Sequence, residues 1–286
     1  MTARILHGKP IAEEIQRDVV PKFEACRREG MRARVMALAH AGRAASKIYS
    51  GMQGRVCERA GIEFMVEWVD PRITQKDLHA LIARHNADRT VTGISLHLPL
   101  PEGLDQLAAQ IALDPRKDVE GIHPHNIGMI AFREHHPVPS AARAAVEIVR
   151  RTLPTLRGLE AVVVGHSAMV GKPLANMLLE SKTEAPTVTS CHISTRDLTA
   201  HTRRADLLFV AVGKAGLIRA GMIKPGACVV DIGINEVDGK VVGDVDFENA
   251  MQVAGYLTPV PGGVGPVSVS LFLRNALACL HECQGR

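Results

Sequence analysis

Aromatic residues are scarce: one Trp, two Tyr and six Phe make up 3% of the 286 residues. That leaves little material for stacking nucleic-acid bases. No Lys/Arg run appears and the formal net charge is only +4, so no nucleic-acid partner is expected and small anions fit better. No Cys pair has CxxC spacing. Cys26, Cys57, Cys191, Cys228, Cys279 and Cys283 read as reduced thiols of a cytoplasmic protein. No apolar stretch reads as a membrane span and no signal-peptide core is seen, so no membrane partner is expected. Metal ligation is not expected either. Cys279 and Cys283 share a helical face, but His281 points away from it. Glu120, His123 and His125 lack a ligand spacing, and His135-His136 reads as a solvated loop. Repeats and low-complexity tracts are absent. What remains is an ordinary globular composition, 46% hydrophobic, long enough for one large or two medium domains.

Proline and glycine, by contrast, are concentrated. Thr258-Pro259-Val260-Pro261-Gly262-Gly263-Val264-Gly265-Pro266 reads as a built loop, neither helix nor central strand. An amphipathic helix is predicted directly after it, over 267–277. Apolar spacing predicts further helices over 11–29, 44–60, 74–86, 104–111, 141–153 (capped by Ser140) and 170–180. Strands are predicted over 33–40, 63–69, 91–98, 160–164, 187–192, 207–212, 228–232 and 255–257. The alternation implies an α/β protein with parallel sheets. Pro137-Val138-Pro139 marks the boundary between an N-terminal α/β domain, 1–140, and a doubly wound Rossmann-type domain, 141–266.

The second domain opens with a dinucleotide signal. Residues 161–164 lead as a strand into Gly165-His166-Ser167-Ala168-Met169-Val170-Gly171. Gly165 allows the turn, Ser167 is small enough for a pyrophosphate to approach the backbone, and Gly171 permits close helix–strand packing. No acid follows the second strand until Asp197. His166 and Arg196 are placed to meet a 2′-phosphate, so the reading leans to NADP over NAD.

Together these pieces resemble the bifunctional methylenetetrahydrofolate dehydrogenase/cyclohydrolase (FolD) family over essentially the whole chain. The resemblance rests on Ile5-Leu6-His7-Gly8-Lys9 with Ile11-Ala12, Ser46 with Tyr49, Leu98-Pro99-Leu100-Pro101, and Lys117-Asp118-Val119-Glu120-Gly121. It continues through Gly165-His166-Ser167 with Val170-Gly171-Lys172-Pro173, Asp231-Ile232-Gly233-Ile234-Asn235, Val242-Gly243-Asp244-Val245 and the Pro-Gly loop. It implies an N-terminal folate domain, a Rossmann domain, a C-terminal helix (267–286) packing back on the first domain, and a homodimer. Tyr49 looks like the ring that stacks on a tetrahydrofolate derivative. Pro261, Gly262 and Gly263 look like the wall between folate and nicotinamide. Gly165, His166, Ser167, Val170, Gly171, Arg196 and Ile234 look like cofactor contacts.

The departures from the family pattern fall on the chemistry. Its Tyr-x-x-x-Lys-x-Lys reads Tyr49-Ser50-Gly51-Met52-Gln53-Gly54-Arg55, so the catalytic lysine position is Gln53. His97 stands for the family's Gln, Glu120 for its pterin-binding Asp, and Pro139-Ser140-Ala141-Ala142 for Pro-Cys-Thr-Pro. Ile193 replaces a serine that meets the 2′-phosphate, which counts against the NADP lean. Oxidation of a methylene bridge needs aligned rings and no proton relay. Hydrolysis of the methenyl product needs a titrating group. The expectation is therefore a dehydrogenase with cyclohydrolase lost or severely reduced. Two alternatives stay open within the enzyme class: His97 doing the lysine's proton transfer with Gln53 orienting it, and a modified pterin accepted by Glu120. A non-catalytic folate- or nucleotide-binding protein is the alternative of another class.

Overall fold

The computed structural model describes residues 2–132 and 137–285; His135-His136 lie outside the described residues. The chain begins β1 (Arg4–Ile5), α1 (Gly8–Arg28), β2 (Arg34–His40), α2 (Ala44–Ala60), β3 (Glu63–Val69), α3 (Gln75–Ala87) and β4 (Gly93–Leu96). Next come α4 (Gln106–Ala112), α5 (Pro124–Met129), α6 (Ser140–Thr152), β5 (Glu160–Val164), α7 (Gly171–Leu178), β6 (Thr187–Cys191), α8 (Leu198–Thr202) and β7 (Leu207–Val210). The last are β8 (Cys228–Asp231), β9 (Asn235–Val237), β10 (Lys240–Val242), α9 (Phe247–Ala250), β11 (Tyr256–Leu257) and α10 (Val264–Cys283).

They form two compact units, residues 14–140 with 269–286 and residues 1–13 with 141–268. The boundary differs from the sequence reading at the N-terminus. Arg4–Ile5 pairs in parallel with Tyr256–Leu257, which draws the first residues into the sheet of the second unit.

The first unit holds a parallel sheet in the order β3-β2-β4. The central strand Arg34–His40 is an almost unbroken apolar run, as a parallel strand covered on both faces requires. Helix α2 stops where Gly61 takes φ +66° and donates to Cys57 O and Glu58 O, a left-handed C-cap. The end of α3 is closed differently. Lys117 Nζ, buried, donates to His85 O at 3.1 Å, Asn86 O at 2.7 Å and Asp88 O at 2.7 Å. Hydrogen bonds to a charged group contribute about 1.5–3 kcal/mol, and buried orphan carbonyls are costly. Lys117→Met is expected to lower the urea midpoint by an amount worth ~2–3 kcal/mol at unchanged m-value; an unmoved midpoint would contradict this role.

Helix α10 corrects three expectations. Val264, Gly265 and Pro266 form its first turn, where amides have no intrahelical acceptor and proline costs nothing. The helix is also buried around most of its circumference, with Phe272, Leu273, Cys279 and Leu280 at 0% exposure, so it is a core helix and not an amphipathic one. By length and composition it passes for a membrane span, yet most of it is buried inside the fold. From Val269 onward it packs on the first unit. Ser270 Oγ accepts from Gln16 Nε2 at 2.8 Å, and Asn275 Nδ2 donates to Val119 O at 2.9 Å and Val138 O at 2.8 Å. Ser140 is the first helical residue of α6, and its Oγ lies 3.4 Å from Asn275 Nδ2.

The second unit is a six-stranded parallel sheet, β1-β11-β8-β7-β5-β6. Strands β5, β7 and β8 are almost wholly buried apolar runs. The order reverses at β5, with β6 on one side and β7 on the other, which creates the crevice where doubly wound sheets take ligands.

Candidate active site

In the first unit, Tyr49 and Gln53 stand one turn apart on α2 and so share a face. Ser95 in β4 and His97 just beyond it point to the same side, two residues apart. The segment 117–121 runs beside β4 through the bridge Ile94↔Asp118, which brings Glu120 to Ser95. Asp118, wholly buried, holds that segment in place: its Oδ2 accepts from His123 N at 2.7 Å and Asn126 Nδ2 at 2.9 Å.

These side chains make one polar cluster. Gln53 Nε2 donates to Glu120 Oε1 at 2.7 Å and to Ser95 Oγ at 3.2 Å. Ser95 Oγ donates to the same Oε1 at 2.5 Å, and Tyr49 Oη donates to Oε2 at 3.2 Å. With the Gln53 amide nitrogen committed to the carboxylate, its Oε1 is the acceptor for His97 Nε2 at 2.9 Å. That network assigns the His97 proton to Nε2. His97 Nδ1 is then a buried lone pair without a protein partner. The Tyr49 and His97 rings lie tilted at 57° with centroids 5.0 Å apart.

Burial sets the charges. Desolvation lowers His97 to about 4, so the imidazole is neutral near neutral pH. Desolvation, with Asp118 adding to it, raises Glu120 against the pull of its three donors. Burial and Glu120 hold the Tyr49 phenol well above its usual value. Glu120 Oε1 is filled by two protein donors and only Oε2 keeps a free lone pair. A bidentate contact to a pterin would require Gln53 or Ser95 to let go. Ser95, which the sequence reading did not single out, is tied to both central groups. The signal was a serine inside the buried run Gly93–Leu96.

The His97 shift has a consequence for stability. The unfolded imidazole titrates near ~6.5 and the folded one lower, so the folded state binds fewer protons between the two. The contribution is present above ~6.5 and lost as pH falls through about 4, on the order of 3 kcal/mol in all. Asp231, raised by burial to about 6, acts in the opposite sense below that pH. The difference between wild type and His97→Gln therefore isolates the imidazole. The variant should lose less stability than wild type between pH 7 and 5 in urea titrations; equal losses would contradict a buried neutral His97.

In the second unit, Gly165 follows β5 with φ +108°, and a Cβ on Gly171 would lie 1.8 Å from Gly165 O. Ser167 closes the turn, with its Oγ accepting from Val170 N at 3.1 Å and its carbonyl from Lys172 N at 3.0 Å. His166, Ser167 and Ala168 are exposed ahead of α7, a cradle that no Cβ at Gly171 obstructs; the arrangement fits a dinucleotide pyrophosphate. On the next loop, His192 packs its ring against His166 with centroids 4.8 Å apart. Ile193 is fully exposed beside it, and Arg196 is exposed on the same loop. Asp197 is spent as the N-cap of α8, accepting from Ala200 N at 3.0 Å.

Ile234, 72% exposed, follows β8 on the same edge of the sheet. The Pro-Gly loop packs on the start of α1. Gly8 N donates to Gly262 O at 2.8 Å, and a Cβ on Gly8 would lie 1.9 Å from Gly263 O, which explains that glycine. Among the described residues no group of three or more His, Cys, Asp or Glu is arranged to hold a metal ion.

Comparison with known proteins matches both parts of the chain. Residues 6–120 match the catalytic domain of tetrahydrofolate dehydrogenase/cyclohydrolase, and residues 139–284 match its NAD(P)-binding domain. Bifunctional protein FolD 3 of Roseobacter denitrificans is 44% identical, covering 98% of this chain and 96% of the relative. The crystal structure of the bifunctional FolD methylenetetrahydrofolate dehydrogenase/cyclohydrolase from Campylobacter jejuni superimposes with a TM-score of 0.92 at 36% identity, covering 98% and 99% of the two chains. The Trypanosoma brucei FolD, crystallised with NADP cofactor and inhibitor, gives a TM-score of 0.91 at 32% identity over 99% and 98%. With both domain models matched and its relatives covered almost end to end, the chain belongs to the tetrahydrofolate dehydrogenase/cyclohydrolase (FolD) family.

Proposed function

We propose that this chain is an NAD(P)-dependent 5,10-methylenetetrahydrofolate dehydrogenase in which the cyclohydrolase step is lost or severely reduced. The observation that carries the reading is the Gln53 amide, bonded to His97, Ser95 and Glu120 at the family's lysine position. An amide neither gives nor takes a proton near neutral pH, and losing a positioned acid–base group typically costs about 10²–10⁴-fold. A nicotinamide dinucleotide held at the Gly165–Gly171 turn would supply a two-electron hydride acceptor. The chain's own part in that step is positioning: Tyr49 stacks on the folate ring system, and Glu120 Oε2 accepts from a pterin N–H. Neither role needs a titrating lysine, so dehydrogenation survives.

His166 and Arg196 favour NADP over NAD; the Trypanosoma brucei relative, crystallised with NADP, supports NADP binding as such. The exposed Ile193 keeps the preference modest. A homodimer and a cytoplasmic location belong to the same reading. The competing assignment, with His97 as proton carrier, draws on its contact with Gln53. An imidazole held neutral down to about 4 is a weak base at Nδ1 and is not an imidazolium acid at neutral pH, and its one N–H is committed to Gln53, which argues against it.

The test is reduced-cofactor formation from methylenetetrahydrofolate with NADP⁺ and with NAD⁺. Formation with both and a lower KM for NADP⁺ is the expected result. No turnover with either would favour a non-catalytic binding protein, and a lower KM for NAD⁺ would reverse the cofactor assignment.

A further inference from the structure

Apart from the contact expected of Ile234, two sequence motifs remain without a role in that reading, Asp231-Ile232-Gly233-Ile234-Asn235 and Val242-Gly243-Asp244-Val245. Their side chains interlock. Asp244, wholly buried, accepts from three successive backbone amides after β7: Val212 N at 2.7 Å, Gly213 N at 3.0 Å and Lys214 N at 2.8 Å. Asn235 Nδ2 donates to it as well, at 2.9 Å. Asp231, equally withdrawn from solvent, accepts from Gly233 N at 3.0 Å, Asp244 N at 3.1 Å and Val245 N at 2.8 Å. Its own amide donates to Thr258 Oγ1 at 2.8 Å, at the head of the Pro-Gly loop.

The glycines are what let the carboxylates in. A Cβ on Gly233 would lie 2.1 Å from the Asp244 carboxyl carbon, and one on Gly243 would lie 1.9 Å from Asp231 Oδ2. Each motif thus supplies one carboxylate and the glycine that admits the other's. The result is a reciprocal clasp joining the turn after β7, the loop after β8 and the loop after β11.

All three lie on one side of the switch point. In a doubly wound sheet the first βα turn takes the pyrophosphate and the end of the second strand takes the adenosine ribose. Here those are β5 and β6, so the loops after β7, β8 and β11 serve the nicotinamide half. The clasp sets Ile234 at that edge with its side chain mostly exposed, held between Gly233 and Asn235. An apolar face fixed there is suited to a planar ring.

We propose that Asp244 is a positioning residue for the nicotinamide half of the dinucleotide, acting through the 212–214 turn and the Ile234 platform. The proposal rests on the dinucleotide reading given above. Asp244 touches no ligand itself; its lone pairs are committed to the four donors. In Asp244→Asn one oxygen becomes an NH₂ facing backbone N–H groups, so the turn must shift while the adenosine side, on β5 and β6, stays in place.

The test compares two probes by calorimetry on the apoprotein: NADP⁺, which spans both halves, and 2′,5′-ADP, which reaches only the adenosine half. For Asp244→Asn the Kd for NADP⁺ should rise about tenfold or more, the size of one lost charged hydrogen bond. The Kd for 2′,5′-ADP should stay within about twofold of wild type, a few tenths of a kcal/mol. Asn235→Ala removes the side-chain donor that ties Asp244 to the Ile234 segment and should show the same split, so it decides the matter if Asp244→Asn fails to fold. A general loosening of the domain would weaken both probes in parallel; that result, or unchanged NADP⁺ affinity in both variants, would overturn the proposal. Wild-type protein that binds neither probe would overturn the dinucleotide reading itself, and this inference with it.

Discussion

Added to 5,10-methenyltetrahydrofolate in buffer, the wild-type protein is expected to leave the decay of the methenyl compound close to the buffer rate. A lysine-bearing family member should accelerate it, and the gap should be about 10²–10⁴-fold, the usual value of a positioned acid–base group. Gln53→Lys should recover part of this. The new ammonium would stand where the amide nitrogen now lies 2.7 Å from Glu120 Oε1, and ion pairing with that carboxylate would hold it protonated. The recovered rate should therefore rise with pH and fall short of a full family enzyme. His97→Ala separates the mechanisms. It should leave the slow decay of the wild-type mixture unchanged, because His97 is neutral and its only hydrogen-bearing nitrogen is committed to Gln53. Decay that is fast in wild type and slow in His97→Ala would put the proton relay on the imidazole and end the present account.

Gly171→Ala is expected to abolish binding of both NADP⁺ and 2′,5′-ADP. The added Cβ would sit 1.8 Å from Gly165 O, 2.6 Å from Gly165 C and 2.9 Å from His166 Cα. All three are backbone atoms of the turn itself, so no flexible side chain can yield. Either α7 moves off the strand or the turn opens, and both destroy the cradle. Overpacking of this kind costs about 1–3 kcal/mol or more, which for a domain of this size lowers Tm by roughly 2–4 °C per kcal/mol. Where Asp244→Asn should separate the two probes, Gly171→Ala should lose them together. Retained 2′,5′-ADP binding would show that the pyrophosphate turn lies elsewhere.

Where one local rule governs an element, the sequence reading lands on it. The bounds of α2 at 44–60, β3 at 63–69 and β5 at 160–164 coincide with the structure, because Gly61 stops the helix in a left-handed conformation and the strands are rich in β-branched and aromatic residues. What escaped depends on partners far along the chain or on very short elements. β1 has two residues and exists because β11 pairs with it. The β9–β10 hairpin does carry a local signal, Asp238-Gly239, which take φ +51° and +72° as a tight hairpin turn requires. Helix α5 begins with Pro124 behind a His123 cap, a pattern confined to six residues.

The polar cluster was legible in its members and not in its wiring. Tyr49, Gln53, His97 and Glu120 could all be picked out by position. That Glu120 spends one oxygen on Gln53 and Ser95, or that burial strips His97 of its proton, follows only from three-dimensional packing. The same holds for the two Asp/Gly motifs of the second unit. Each reads as a turn by itself, and their reciprocal fit appears only when the carboxyl ends of β7 and β8 are seen together.

The measurement that tests the central claim most directly is the ratio of methenyltetrahydrofolate accumulated to NADPH formed, followed in one cuvette during oxidation of methylenetetrahydrofolate. A dehydrogenase without cyclohydrolase should hold the ratio near one, corrected for decay in buffer, for as long as NADPH rises. A ratio that drops well below one while NADPH continues to form would mean that the protein hydrolyses its own product, contradicting the role assigned to Gln53.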